Sequence, residues 1–385
     1  MKFKRFENRV WLSTPTMHDE EQQFVKEAFD TNWVAPLGPN VDEFEKKVSE
    51  YLGVKGTSAV SSGTAALHLA YKLAGIDKDD IVLVQDLTFS ATINPIIYQN
   101  AIPVFIDSER ETWNMDPRAL EKAFEKYGDR VKAVILVHLY GIPGKVKEIK
   151  EICDRHNVTL IEDAAESLTA KYEGKQTGTF GKYAALSFNG NKLITTSGGG
   201  MLVSQDAESA EKARFWSTQS KESVPYYLHK ELGYNYRMSN VVAGIGRGQF
   251  LHVEEHKNLK VDIYNRYKLG FKNSPISMNP YLKNTEPSHW LSAISIDEEV
   301  FEKGLTPEKL RVYLEDLNIE SRRAWNPMHL QPYFEKYDFI KVEDEAVSKD
   351  IFERGLCLPS DIKMSEEDQE KVIEIINDFV CEFVG

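Results

Sequence analysis

Cysteine is scarce. In 385 residues it occurs at positions 153, 357 and 381, an odd number at wide spacing. That pattern excludes a disulfide framework or a cysteine-based zinc site as the organising feature, and no metal is expected. Long apolar runs are missing too. No stretch approaches the ~18 apolar residues of a membrane span, and the N-terminal Met-Lys-Phe-Lys-Arg-Phe stretch lacks a signal-peptide core. An excess of positive charge is also absent. A formal net charge of −13 argues against nucleic acid or an anionic membrane as partner, though one basic pocket can still hold a nucleotide. No internal repeat, low-complexity tract or Ser/Gly linker interrupts the chain, and a reducing, cytoplasmic address is expected. The remainder is ordinary globular composition, 42% hydrophobic and 28% charged, with enough chain for two or three domains.

From about residue 55 to 205, short apolar runs alternate with amphipathic ones. Ile81–Gln85, Ile102–Asp107, Ala133–His138 and Val158–Glu162 read as buried strands. Arg118–Lys126 and Val146–His156 read as helices with one apolar face. Such alternation predicts an α/β fold with a mainly parallel sheet covered on both sides. Ligands on such sheets sit beyond the carboxyl ends of the strands. Met201–Ser204 reads as a further strand and Ser239–Lys268 as one long helical segment. Past it, Leu291–Ile296 alternates like a strand, while Thr306–Leu317 and Glu366–Val384 look helical. The pattern predicts a large domain over 1–250, N-terminal segment included, and a small α+β domain over 251–385.

The chemistry concentrates in a few places. Lys192 lies between the apolar Leu186-Ser-Phe188 and the Gly198-Gly-Gly200 turn, where a surface loop would be more polar. Upstream, Leu160-Ile-Glu-Asp163 ends a strand in carboxylates. An amine that can form a Schiff base, together with a carboxylate that keeps a pyridine nitrogen protonated, is what pyridoxal phosphate (PLP) chemistry requires. Asp163 has a plainer reading as a helix cap. Glu162 and Glu166 flank it, and three carboxylates so close repel unless some meet solvent or a cation. Ser61-Ser62-Gly63-Thr64-Ala65 opens a helix with free amides and can hold a phosphate, although Ser and Thr cap many helices. Ser187 can add a hydroxyl or sit satisfied in the core. Phe89 follows a strand at the same sheet edge and can stack on a flat ring or serve the core. Asn235 sits in a polar, aromatic run before a helix.

Taken in order, these residues resemble the PLP-dependent sugar-nucleotide aminotransferases of the DegT/DnrJ/EryC1/StrS family. The resemblance runs from Leu12–Met17 and Asn32–Gly38, through the motifs above, to Trp325-Asn-Pro-Met-His329. It implies a fold-type I PLP transferase. Lys192 is then the Schiff-base lysine and proton shuttle, and Asp163 the partner of the pyridine nitrogen. The Thr64 and Ala65 backbone groups and the Ser187 hydroxyl hold the phosphate, with Ser62 and Gly63 beside them among the cofactor contacts, Phe89 stacks on the ring, and Asn235 arrives from the partner of a homodimer. The family commonly has Gln where this chain has Glu166, a contact to the cofactor's phenolic oxygen. Asn32, Trp33, Val34 and Ala35, with Trp325, Asn326, Met328 and His329, are expected to meet the sugar.

Phe188-Asn-Gly-Asn-Lys192, Phe215-Trp-Ser-Thr-Gln219, Gly233–Asn240 and Trp290-Leu-Ser292 resemble the bacillosamine branch. That branch moves an amino group from L-glutamate to a UDP-linked 4-keto-6-deoxy-N-acetylhexosamine. The rivals are a dTDP- or GDP-ketosugar, an aminocyclitol precursor, or a non-catalytic regulator that kept the fold. The family's sugar dehydratases carry His in place of the lysine, and Lys192 speaks against that branch.

Overall fold

In the computed structural model, which describes residues 2–384, the alternating segments form one eight-stranded sheet. Its order is Gly56–Val60, Gly200–Ser204, Tyr183–Ser187, Thr159–Asp163, Val131–Val137, Ile81–Gln85, Ile102–Ile106 and Phe339–Ile340. Gly200–Ser204 runs antiparallel to both neighbours, and the remaining pairings are parallel. Successive residues of a strand face opposite sides. Val82 and Val84 therefore pack with Ala66 and Leu69 of helix Gly63–Leu73. Ile81 and Leu83 pack instead with Leu120 and Ile149, from helices Pro117–Tyr127 and Val146–Arg155. Burial on both faces is why these strands read as unbroken apolar runs.

A second sheet is antiparallel, in the order Ile276–Met278, Ser292–Ile296, Gly355–Leu358, Arg322–Arg323. Its core includes Ile294, Leu356, Leu310 of helix Pro307–Asp316 and Ile376 of helix Glu366–Cys381. Phe6 and Val10 from the N-terminal segment pack into this core, and Val10 bridges to Ile319. Phe339–Ile340 crosses the other way and extends the large sheet at Phe105 and Ile106. The predicted long helix is two, Asn240–Phe250 and Val253–Gly270. The first lies so close to helix Glu20–Asp30 that a Cβ on Gly248 would come within 2.5 Å of the Glu21 nitrogen. The second carries Val253 in the large core and Tyr267 in the small one.

Candidate active site

The strand ends converge on a cavity of about 480 Å³, within the size range of small-molecule sites. Lys192, Asp163, Glu166, Ser187, Ser62, Gly63, Thr64, Phe89 and Trp325 line it, so most of the predicted site residues are brought together. Lys192 rides on a loop closed by backbone hydrogen bonds from Phe188 to Gly199 (2.9 Å) and from Thr196 to Phe188 (2.9 Å). Gly200 lets this loop's exit strand pass the helix start, because a Cβ there would lie 2.4 Å from the Ser62 carbonyl. The Lys192 side chain is 12% exposed, with Nζ 3.4 Å from Glu166 Oε1 and 3.8 Å from the Trp290 ring centroid.

The three carboxylates do not compete. Period-two alternation turns Glu162 away from Asp163. Glu162 accepts the amides of Gly178, Phe180 and Gly181 (2.7 Å each) and a hydrogen bond from His138 Nε2 at 2.9 Å. His138 Nδ1 accepts the Gly144 amide, which fixes the proton on Nε2 in the neutral ring. Burial pushes the Glu162 carboxyl up, but His138 and these amides outweigh it and the net direction is down. Asp163 goes the opposite way: burial raises it, only partly offset by the Thr92 hydroxyl and the Ala165 amide. A buried carboxylate left in that condition favours a cationic partner, and a protonated pyridine nitrogen is one.

The other end of the cavity suits a phosphate. Ser62 caps helix Gly63–Leu73 by accepting the Ala65 amide at 3.1 Å, so Ala65 is engaged within the helix start. The amides of Gly63 and Thr64 belong to the first turn, which has no acceptor inside its own helix. Gly63 keeps the wall thin beside Ser187: a Cβ would fall 3.0 Å from the Ser187 Cβ. Phe89 is 60% exposed, with its ring 5.7 Å from Trp325. Amine, buried carboxylate, helix N-terminus, hydroxyl and open aromatic together fit PLP.

Other predicted residues lie elsewhere. Met328 is buried in the large core. His329 is held by Asp86 through its Nδ1 (2.7 Å) and its amide (2.9 Å) and stacks on Phe339, while the Asn326 carbonyl accepts from Gln331. Asn32, Trp33, Val34, Ala35 and Asn235 are exposed and do not line this chain's cavity. The structure also brings to the site residues with no predicted role there: Thr92 on Asp163, Tyr140 on Glu166, and Trp290 and Arg322 in the wall. Tyr140 has a left-handed φ of 54°, and its amide donates to Glu166 Oε2 at 2.7 Å. No periodic pattern announces such a turn. His138, at the end of Val131–Val137, was findable from its strand-end position.

Burial pushes Glu166 up to about 7, against the pull of Lys192 and the Tyr140 amide. Folding therefore favours its protonated form. That contribution is fully present below the unfolded value of about 4.3 and is lost as pH rises towards 7. In cofactor-free protein, Glu166→Gln should gain melting temperature relative to the wild type as pH rises from about 4.5 to 8. A difference independent of pH would contradict a Glu166 raised by burial.

Comparison with known proteins places the chain in a family. Residues 15–377 match the DegT/DnrJ/EryC1/StrS aminotransferase family. EpsN of Bacillus subtilis (strain 168), provisionally named a pyridoxal phosphate-dependent aminotransferase, is 47% identical over 374 residues, covering 96% of this chain and 95% of its own. The GDP-perosamine synthase of Escherichia coli O157:H7 is 36% identical over 366 residues, covering 95% and 97%. The crystal structure of the aminotransferase TlmJ from Streptoalloteichus hindustanus superposes with a TM-score of 0.88 at 27% identity, covering 98% and 100%. The chain belongs to the DegT/DnrJ/EryC1/StrS family and is a PLP-dependent sugar aminotransferase of the fold-type I architecture.

Proposed function

We propose that the protein transfers an amino group from L-glutamate to the C4 ketone of a UDP-linked 4-keto-6-deoxy-N-acetylhexosamine. The observation that carries the transamination is that Lys192 and Asp163 line one cavity. Bound PLP supplies an aldehyde for the amine and a ring that accepts electrons. Lys192 would hold that group through its side-chain amine and, once freed, would serve as the base that moves a proton at the substrate carbon. Asp163 would hold the ring nitrogen in its protonated form. Trp290 and Trp325 form an aromatic wall (centroids 6.5 Å apart) suited to a sugar face, and shield the amine from water.

The UDP sugar is supported by the motifs around Lys192, Gln219 and Trp290. A GDP-linked sugar is the second reading, favoured by the 36% identical GDP-perosamine synthase. The active unit is proposed to be a homodimer in which Asn235 and the Asn32–Ala35 segment complete the partner's cavity. Trp33, Val34 and Tyr227 are 44%, 43% and 80% exposed in one chain, and such apolar surface favours a protein partner.

Purified protein incubated with glutamate and UDP-, GDP- and dTDP-linked 4-keto-6-deoxy sugars, with products identified by mass and NMR, tests the substrate. Amination of the UDP-N-acetylhexosamine should lead by about a hundredfold in kcat/KM. Preference for the GDP sugar would replace the first reading with the second, and no amino sugar from any of them would end both. The same assay on mixed Lys192→Ala and Asn235→Ala subunits should exceed either parent if the site is shared. No recovery despite subunit exchange would contradict the shared site.

A further inference from the structure

The buried carboxylate that faces the cofactor is not held by its own strand alone. Asp163 Oδ1 accepts the Ala165 amide at 3.1 Å. Its Oδ2 accepts the hydroxyl of Thr92 at 2.7 Å, from a residue 71 positions earlier in the chain. The Thr92 oxygen lies in turn 2.7 Å from the hydroxyl of Thr88. Thr88 and Thr92 are fully buried and Asp163 nearly so. A threonine hydroxyl carries one proton. If Thr92 spends it on Asp163, its oxygen is free to accept from Thr88, and the row is polarised Thr88 to Thr92 to Asp163. With Oδ2 accepting from Thr92 and Oδ1 from the Ala165 amide, both oxygens of Asp163 act as acceptors, which the ionised carboxylate does best.

The turn that carries this row is itself anchored. Thr92 donates its amide to the Phe89 carbonyl at 3.0 Å, and its carbonyl accepts the buried Tyr71 hydroxyl at 2.8 Å. One short turn thus presents Phe89 to the cavity and Thr92 to the carboxylate. Among the influences on Asp163, burial acts upwards and the Thr92 hydroxyl is the largest acting downwards. We propose that Thr92, backed by Thr88, is a positioning residue that keeps Asp163 a carboxylate aimed at the cofactor's ring nitrogen. The proposal rests on the PLP assignment and is independent of which sugar is used. A purely structural Thr92 would satisfy its neighbours without touching the state of that nitrogen.

Thr92→Val keeps the shape and removes the hydroxyl; Thr92→Ser keeps the hydroxyl. Each variant is loaded with PLP labelled with ¹⁵N at the ring nitrogen, and the nitrogen resonance is followed with pH. Wild type and Thr92→Ser should give the protonated-ring signal over the same pH range. Thr92→Val should lose that signal at lower pH, and its PLP dissociation constant should rise about 10- to 100-fold, the range for one hydrogen bond to a charged group. Wild-type titration and affinity in a folded Thr92→Val protein would overturn the proposal. Should Thr92→Val not fold, Thr88→Val carries the test, because it removes only the donor behind Thr92. A smaller shift in the same direction supports the proposal, and an unchanged titration overturns it.

Discussion

Lys192→Ala should reduce turnover by at least about 10⁴-fold, on the scale seen when a covalent nucleophile is removed, while the fold remains. The amine is both the group that bonds the cofactor's aldehyde and the base that moves the substrate proton, so no neighbour can substitute for it. The fold should survive because the loop is closed by the backbone hydrogen bonds of Phe188 and Thr196 and not by Nζ. Removing the ammonium also leaves no stranded ion, since Glu166, already pushed up to about 7 by burial, takes up a proton instead. Turnover and melting temperature, measured together, separate the two effects. Wild-type turnover in a folded Lys192→Ala protein would end the assignment.

The second large effect is expected at Asp163. Asp163→Asn preserves shape, and its side-chain oxygen can still accept from Thr92, so PLP should remain bound. An amide carries no charge to hold the ring nitrogen protonated, and the ring becomes a poorer electron acceptor. The loss should be about a thousandfold or more in kcat, comparable to removing a preorganised electrostatic contact elsewhere. Glu166→Gln should be mild by contrast, below about tenfold. A glutamine oxygen can accept the Tyr140 amide as Glu166 Oε2 does, and its NH₂ replaces a carboxyl that is already half protonated near neutrality. Equal damage from both substitutions would mean that the two carboxylate roles are misassigned.

The parts of this structure legible in the sequence are those with a short-range physical signal. Ile81–Gln85 and Ala133–Val137 announce themselves as apolar runs because both sheet faces are covered. Lys192 is legible because a lysine between an apolar strand end and three glycines is improbable on a surface. The contacts that decide the carboxylates' behaviour are long-range and left no such trace. Thr92 reaches Asp163 past the intervening strand Val131–Val137, Tyr140 reaches Glu166 through a left-handed turn, and the charge of Glu162 is stabilised by amides contributed by an irregular loop at 178–181. Phe339–Ile340 is too short to show a period, and only its place beside Phe105 makes it a strand. The Trp325–His329 motif implies that Trp325, Asn326, Met328 and His329 meet the sugar, yet only Trp325 lines the cavity, while Met328 turns into the core and His329 onto Asp86.

The central claim is that Lys192 is the residue that bonds the cofactor. Reducing the PLP-loaded protein with borohydride fixes that bond as a secondary amine, and digestion with mass spectrometry locates it. The account predicts one phosphopyridoxyl group per chain, on the peptide containing Lys192, and none on Lys192→Ala. Modification of a different lysine, or equal labelling of the Lys192→Ala protein, would contradict it.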